Sequence, residues 1–188
     1  MPTQLLGTVV RCILTLVALS ACRPRPVSAA DELDIMTCDT VTNARPGQPG
    51  VIYTGPVSNS DYRFDARIPS GLVGLGSADG APFHGFTIFL GKSACIAFEI
   101  ELILKLPDGS PSVPLERRVP MRFGNRRGVG YSRVGSAGGR RLLNTYVEVA
   151  LRRPGYKNGA SIYFVTPLEE RYTTEPIFRS FLASFKFW

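Results

Sequence analysis

Alternation of hydrophobic and polar residues is the main structural signal along this chain. In the segment CIAFEIELILKL, residues 95–106, Ile96, Phe98 and Ile100 share one side with the leucines that follow, while Ala97 and Glu99 lie on the other. The segment DYRFDARI has the same period of two, and HGFTIFL has it more weakly. This period predicts antiparallel strands that place one face in the core and the other in water.

The second half of the chain continues the series and then changes period. The segments RFGN, VGYSRV, LLNTYVEVAL and ASIYFVT are joined by SAGGRR and RPGYKNGA, which are typical of hairpin turns. Hydrophobic residues recur at helical spacing from Ile177 to Phe185, after an N-cap predicted at Thr173-Thr174 with Pro176 in the first turn. The predicted fold class is therefore α+β, a mainly antiparallel sheet of about six strands with a C-terminal amphipathic helix packed on it.

Two segments resemble a known layout. YRFDARIPSG and IFRSFLASFKFW are similar to the opening and the close of the Mog1/PsbP-like fold. The resemblance implies a strand that runs into Ile-Pro at the start of the sheet, and a closing helix that ends in a Ser-Phe-containing strand. It also implies a non-catalytic binding or assembly role, because members built this way mostly have such roles.

The N-terminus predicts export. A short polar opening with Arg11 precedes the apolar stretch from Cys12 to Ala21, which has the length of a secretory leader and is too short to cross a membrane as a helix. Leu19-Ser20-Ala21-Cys22 resembles the bacterial lipobox, which implies a cut after residue 21 and a lipid on Cys22. The alternative is an ordinary cut after Ala29.

The two cuts predict different locations. A lipid on Cys22 would anchor the protein to a membrane. Arg23 is not the aspartate that retains such proteins at an inner membrane, so the resemblance implies the periplasmic face of an outer membrane. A cut after Ala29 would release a soluble periplasmic or secreted protein.

The rest of the chain is expected to be a tether followed by one domain. Residues 22–50 form the predicted tether, which is acidic and then turn-rich and is expected to become ordered around Cys38. Residues 51–188 form one predicted globular α+β domain.

Either cut leaves two cysteines, Cys38 and Cys95, and an even pair in an exported chain predicts a disulfide bond. A metal site lacks ligands, because His84 is the one histidine and there is no Cys-x-x-Cys. No metal or cofactor is predicted.

Signatures of enzymes are scarce. The chain contains neither Gly-x-Ser-x-Gly nor Ser-x-x-Lys, and the glycines of GLVGLGSADG, residues 71–80, lack nucleotide-binding spacing and predict a flexible loop. His84 could act as a general base if folding brought Asp65 or Asp79 near it. Glu99 and Glu101 share a strand face, and the favoured interpretation is that both carboxylates are exposed to solvent and have no catalytic role.

Arginine is concentrated in one segment. Residues 117–153 contain ten arginines and a single acidic residue, Glu148. Within it, a site for an anionic envelope polymer or an acidic protein is predicted at Arg122, Arg126, Arg127, Arg140 and Arg141. The alternative is compositional bias, since the chain has 18 arginines and 4 lysines. Nucleic acid is not expected, because the chain is exported and because Tyr131 and Tyr146, although they lie in the segment, are not interleaved with the arginines in the convincing pattern expected for stacked bases.

Together these features predict an exported, lipid-anchored cell-envelope protein with a non-catalytic binding role. An envelope hydrolase with a site around His84 is the alternative. The two classes differ in what the fold must supply, because an enzyme needs a pocket that holds His84 beside a carboxylate and a hydroxyl, whereas a binder needs an arginine-lined surface.

Overall fold

The alternating segments form strands, and the helical segment forms a helix. The computed structural model describes residues 35–41, 50–76, 83, 85–102, 118–153 and 156–188, with the backbone alone at 101–102, 152–153 and 156–158. The strands in these ranges are β1 Ile52–Tyr53, β2 Pro56–Asn59, β3 Phe64–Arg67, β4 Gly74–Gly76, β5 Gly85–Phe89, β6 Cys95–Leu102, β7 Val119–Phe123, β8 Arg126–Ala137, β9 Arg140–Arg153, β10 Tyr156–Pro167 and β11 Lys186–Phe187. The helices are α1 Cys38–Val41 and α2 Arg171–Ser184, the latter preceded by a 3-10 turn at Leu168–Glu170.

The strands pair into two antiparallel sheets. The large sheet has the order β1-β4-β5-β6-β10-β9-β8-β7, and the small sheet has the order β11-β3-β2. The α+β class is confirmed, but the described ranges hold eleven strands rather than about six. Several of the additional strands are two to four residues long, too short for a periodic signal. Consecutive hairpins join β7 to β10, whereas β6 pairs with the distant β10.

Part of the predicted glycine-rich loop is a strand. Gly74–Gly76 pairs with β1 on one side and with β5 on the other. A side-chain carbon at Gly74 would come within 2.8 Å of the Phe86 ring, and one at Gly76 within 2.8 Å of the Tyr53 ring. These glycines therefore leave room for two aromatic rings, while residues 77–80 of the same segment lie outside the described ranges.

Phenylalanines fill the space between the large sheet, the small sheet and α2. The rings of Phe64, Phe86, Phe98 and Phe185 are all essentially buried. The Phe98 centroid lies 4.7 Å from that of Phe185 and 5.2 Å from that of Phe64, within the range of favourable aromatic pairs. This cluster joins residues from both sheets to the end of the helix.

Helix α2 begins earlier than its predicted N-cap. Arg171 is the first residue of the helix, and Pro176 lies inside it. The Thr174 hydroxyl donates to the Glu170 carbonyl oxygen at 2.9 Å and lies 2.8 Å from the Thr166 hydroxyl, so it ties the helix to β10. The amphipathic face is confirmed, because Phe178, Phe181 and Leu182 are buried.

The chain leaves α2 through Phe185 and enters β11, where Phe187 pairs with Phe64 of β3. The resemblance to the Mog1/PsbP-like layout implied a Ser-Phe-containing strand after the closing helix; a strand follows the helix, but Ser184 and Phe185 lie just before it. No helix in the described ranges is long and apolar enough to cross a membrane.

The segment 35–41 packs on the side of the large sheet that faces away from α2. The disulfide bond Cys38–Cys95 holds it there, with the two Cα atoms 5.8 Å apart. The Met36 N–H also donates to the Asn144 side-chain oxygen at 2.7 Å. Cys95 and Ala97 are therefore fully buried, although the alternation assigned them to a solvated face. Residues Cys38–Val41 of this segment form the short helix α1.

Candidate anion-binding surface

The large sheet has two faces, and strand register decides which residues share one. The core face packs against α2 and the small sheet and carries Phe98, Phe123 and Val147. We call the opposite side the outer face. Residues that are directly paired across antiparallel strands lie on the same face, and side chains alternate between the faces along a strand. These two rules place the arginines of β7 and β8, together with Arg140 and Arg141 of β9.

The five predicted arginines do not form one cluster. Arg122 is paired directly with Arg127 on the outer face, whereas Arg126 is paired with the buried Phe123 and lies on the other side. Arg140 is paired with Ala137 at the far end of β8. Ten residues of strand separate Arg127 from Ala137, about 33 Å at roughly 3.3 Å per residue. The register thus divides the five between two faces and two ends of the sheet.

At the far end, Arg140 already has acidic partners. Its guanidinium donates to the Glu169 carboxylate at 2.9 Å, lies 3.5 Å from the Glu170 carboxylate and donates to the Ser93 hydroxyl at 2.9 Å. A hydrogen bond to its own backbone and then the bond from Arg140 lower the pKa of Glu169, so this carboxylate is charged at neutral pH. The charge of Arg140 is therefore largely neutralised within the protein.

The same end contains an open recess of about 530 Å³. Its lining includes Arg141 and Arg171 beside Glu169, and the Arg171 guanidinium stacks over the Tyr172 ring at 4.5 Å. Sequence reasoning missed Arg171, because it lies outside the arginine-rich segment. The lining contains three arginines, Arg140, Arg141 and Arg171, and one carboxylate, Glu169, so the recess stays positively charged although Arg140 is paired with Glu169.

The outer face carries a different arginine group. Arg122, Arg127 and Arg133, which we call the outer arginines, lie on this face of β7 and β8. Within the part of the chain that the structure describes, none of the three forms an ion pair. Like charges directly opposite each other in a sheet are unfavourable by about 0.2–1 kcal/mol, which applies to Arg122 and Arg127. An anion bound between them would remove this repulsion.

Aromatic residues lie beside the outer arginines. Tyr131, Tyr146 and Tyr163 are paired directly across β8, β9 and β10, and we call them the tyrosine row. The Tyr146 and Tyr163 ring centroids are 4.7 Å apart. The alternation in VGYSRV contains the signal for this arrangement, since Tyr131 and Arg133 are two residues apart in one strand. The alignment of Tyr131 with Tyr146, and of Tyr146 with Tyr163, depends on the register between the strands.

The predicted residues Cys22, Asp79 and His84 lie outside the described ranges, as does the side chain of Glu101. Asp65 lies in the small sheet, where its carboxylate accepts a hydrogen bond from the Ser58 hydroxyl at 2.6 Å. Across the described ranges, no three His, Cys, Asp or Glu side chains lie together in a way that could hold a metal ion.

Comparison with known proteins identifies solved structures of similar fold. No family model matches the sequence, and no curated protein matches it significantly. The fold is similar to that of LpqN from Mycobacterium tuberculosis, a protein described as involved in cell envelope biogenesis. The TM-score is 0.52 at 13% identity, over 72% of this chain and 90% of LpqN. This likeness shows a shared fold.

Two further solved structures align with lower scores. One is a protein of Bacteroides thetaiotaomicron, with a TM-score of 0.46 at 9% identity over 75% of this chain and 49% of that chain. The other is the cyanobacterial PsbP of Synechocystis, with a TM-score of 0.39 at 10% identity over 77% of this chain and 96% of that chain.

Proposed function

We propose that this protein is an exported, lipid-anchored cell-envelope protein that binds an anionic envelope polymer without catalysis. Binding takes place on the outer face, at Arg122, Arg127 and Arg133. Cys22 carries the lipid that anchors the chain at the periplasmic face of a membrane, with the outer membrane as the expected location.

The observation that carries the proposal is the direct pairing of Arg122 with Arg127 on one face. Both side chains are exposed, and Arg133 lies on the same side of β8. Guanidinium groups form forked, charge-assisted hydrogen bonds with carboxylates and phosphates. Several cations on one flat surface suit a polymer with repeated negative charges, because successive charges of the chain can be bound together.

Other features support the location. The leader and the Cys38–Cys95 bridge are typical of exported proteins. LpqN, which has the same fold, is described as involved in cell envelope biogenesis. An acidic protein is the competing partner, and the binding experiment distinguishes it from a polymer.

Replacing both opposed arginines is expected to weaken polymer binding at least about tenfold, because hydrogen bonds to charged groups contribute about 1.5–3 kcal/mol each. The test compares Arg122→Glu/Arg127→Glu with the wild type by isothermal titration of an anionic polysaccharide. Binding should also weaken as salt rises, since the screening length falls from about 10 Å at 0.1 M to about 3 Å at 1 M.

The matched control is Arg67→Glu/Arg126→Glu. These arginines are also exposed, and neither lies on the outer face, so the variant has the same net charge with an intact outer group. It should bind within about threefold of the wild type, and both variants should keep the wild-type melting temperature. Equal loss in both variants would indicate a net-charge effect and contradict the site. Capture of an acidic protein with no binding of polymer would contradict the proposed ligand.

The anchor has its own prediction. In the native host, the protein should partition into the detergent phase, and Cys22→Ser should release it or leave an unprocessed precursor, because several acyl chains together give stable membrane attachment. Cys12→Ser is the control, since this cysteine lies inside the leader. An unmodified mature chain that begins at Ala30, detected by mass spectrometry, would overturn the lipid anchor.

A further inference from the structure

We propose that the tyrosine row binds sugar rings, so that the polymer held by the outer arginines is an anionic glycan. This inference rests on the proposed function and specifies its ligand class. The polymer would be a polysaccharide whose carboxylate groups reach the arginines while its sugar rings lie on the tyrosines.

The row has the geometry of a binding platform. Tyr131 pairs with Tyr146, and Tyr146 pairs with Tyr163, so the three side chains cross adjacent strands on one face. Neighbouring strands are about 4.8 Å apart, which makes the row about 10 Å long. All three side chains are half-buried, so each is supported by the protein and also presents surface to solvent.

The central tyrosine is held in place by polar contacts. The Tyr146 hydroxyl donates to a Glu148 carboxylate oxygen at 2.8 Å, and the other oxygen of that carboxylate lies 4.0 Å from the Arg118 guanidinium. Fixed side chains lose little conformational entropy on binding. The Glu148 carboxylate has further lone pairs, which can accept hydrogen bonds from sugar hydroxyls.

The order of charges and rings along β8 favours a glycan over a simple polyanion. Arg133 and Arg127 lie on opposite sides of Tyr131 in the same strand, about 7 Å and 13 Å away along the strand. A pyranose has apolar C–H faces that pack on aromatic rings, and its acidic substituents project from the ring edge. A chain of acidic sugars can therefore contact the tyrosine ring and the arginines together, whereas a polyanion without sugar rings would contact the arginines alone.

One end of the tyrosine row is covered by packed residues. Tyr163 packs against the cluster that contains the Cys38–Cys95 bridge and Val41. Arg122 and Arg127 lie at the opposite end of the row, towards β7, whereas Arg133 lies beside the segment 35–41, because Ile35 packs over Gly135 and Met36 bonds to Asn144, the residue paired with Arg133. A bound chain would therefore extend from Arg122 and Arg127 across Tyr131 towards Tyr146.

The experiment compares two polymers with the same charged group. Polygalacturonate carries its carboxylates on sugar rings, polyglutamate carries them on a peptide chain, and dextran is a neutral glycan. The wild type should bind polygalacturonate more tightly than polyglutamate and should bind dextran at least tenfold more weakly than polygalacturonate. Tyr131→Ala should weaken polygalacturonate binding about tenfold and leave polyglutamate binding within about twofold, because the apolar C–H face of a pyranose packs on the tyrosine ring and polyglutamate has no such ring.

Three further variants make the result specific. Tyr131→Phe keeps the ring and should retain most of the affinity for polygalacturonate. Tyr131→Leu keeps an apolar side chain on the sheet but has no ring, and it should lose most of that affinity. Tyr172→Ala is the matched control, because Tyr172 is highly exposed on α2, away from the outer face. The leucine variant replaces the alanine variant in every comparison if the latter fails to fold.

The result also separates this inference from the function on which it rests. Equal binding of the two polyanions, or equal loss of both in the Tyr131 variants, would overturn the glycan platform. Loss of both polyanions in Arg122→Glu/Arg127→Glu would still support an anion-binding surface. Absence of binding to either polyanion in the wild type would overturn both proposals.

Discussion

Phe98→Ala is expected to lower the free energy of unfolding by about 3–5 kcal/mol, the usual range for removing a fully buried phenylalanine. Phe98 is fully buried, and its ring meets those of Phe64, Phe86 and Phe185 at centroid distances between 4.7 and 5.4 Å. The substitution removes contacts to both sheets and to the end of α2, and leaves a cavity that rigid neighbouring strands cannot fill. Urea unfolding followed by circular dichroism measures the change.

The control is Phe89→Ala in the adjacent strand β5. Phe89 is 39% exposed and lies on the outer side of that strand, so the same chemical change should lower stability by only about 1 kcal/mol or less. Similar losses in the two variants would contradict the position of the core. The slope of unfolding free energy against urea should stay unchanged in both.

Removing the disulfide bond is expected to have the second large effect. The bridge closes a loop with a sequence separation of 57 residues, for which the chain-entropy relation gives a stabilisation of about 4 kcal/mol. The variant Cys38→Ala/Cys95→Ala should therefore melt about 8–16 °C lower, given a shift of roughly 2–4 °C per kcal/mol in a domain of this size. Differential scanning calorimetry under oxidising conditions measures the shift.

Reductant provides the internal control. It should lower the melting temperature of the wild type to nearly that of the double variant and should leave the variant unchanged. Free thiols in the oxidised wild type, or equal melting temperatures of oxidised wild type and variant, would contradict a stabilising bridge between Cys38 and Cys95.

Strand periodicity could be predicted wherever a strand is long enough to alternate several times. The alternation in residues 62–68 and 95–102 matches β3 and β6. The strand at Gly74–Gly76 could not be predicted, because three residues show no period and glycine is typical of loops. It is a strand because its neighbours offer backbone hydrogen bonds and because aromatic rings fill the space above its glycines.

Which face meets water could be predicted only in part. Alternation separates Ile96 and Phe98 from Cys95 and Ala97, but it does not show what covers the second face. The segment 35–41 covers it, and 57 residues separate the two cysteines that join them. A contact between residues so far apart leaves no local periodic signal.

The candidate surface shows the same division between local and distant information. The sequence by itself determined that arginines are concentrated in residues 117–153 and that Tyr131 and Arg133 share one face of a strand, because side-chain alternation is a local property of the backbone. Only the tertiary structure decided that Arg122 opposes Arg127, that Arg140 is neutralised by Glu169, and that three tyrosines form a row. Register between strands follows from packing of the whole sheet, and a shift of one residue would move every one of these side chains to the other face.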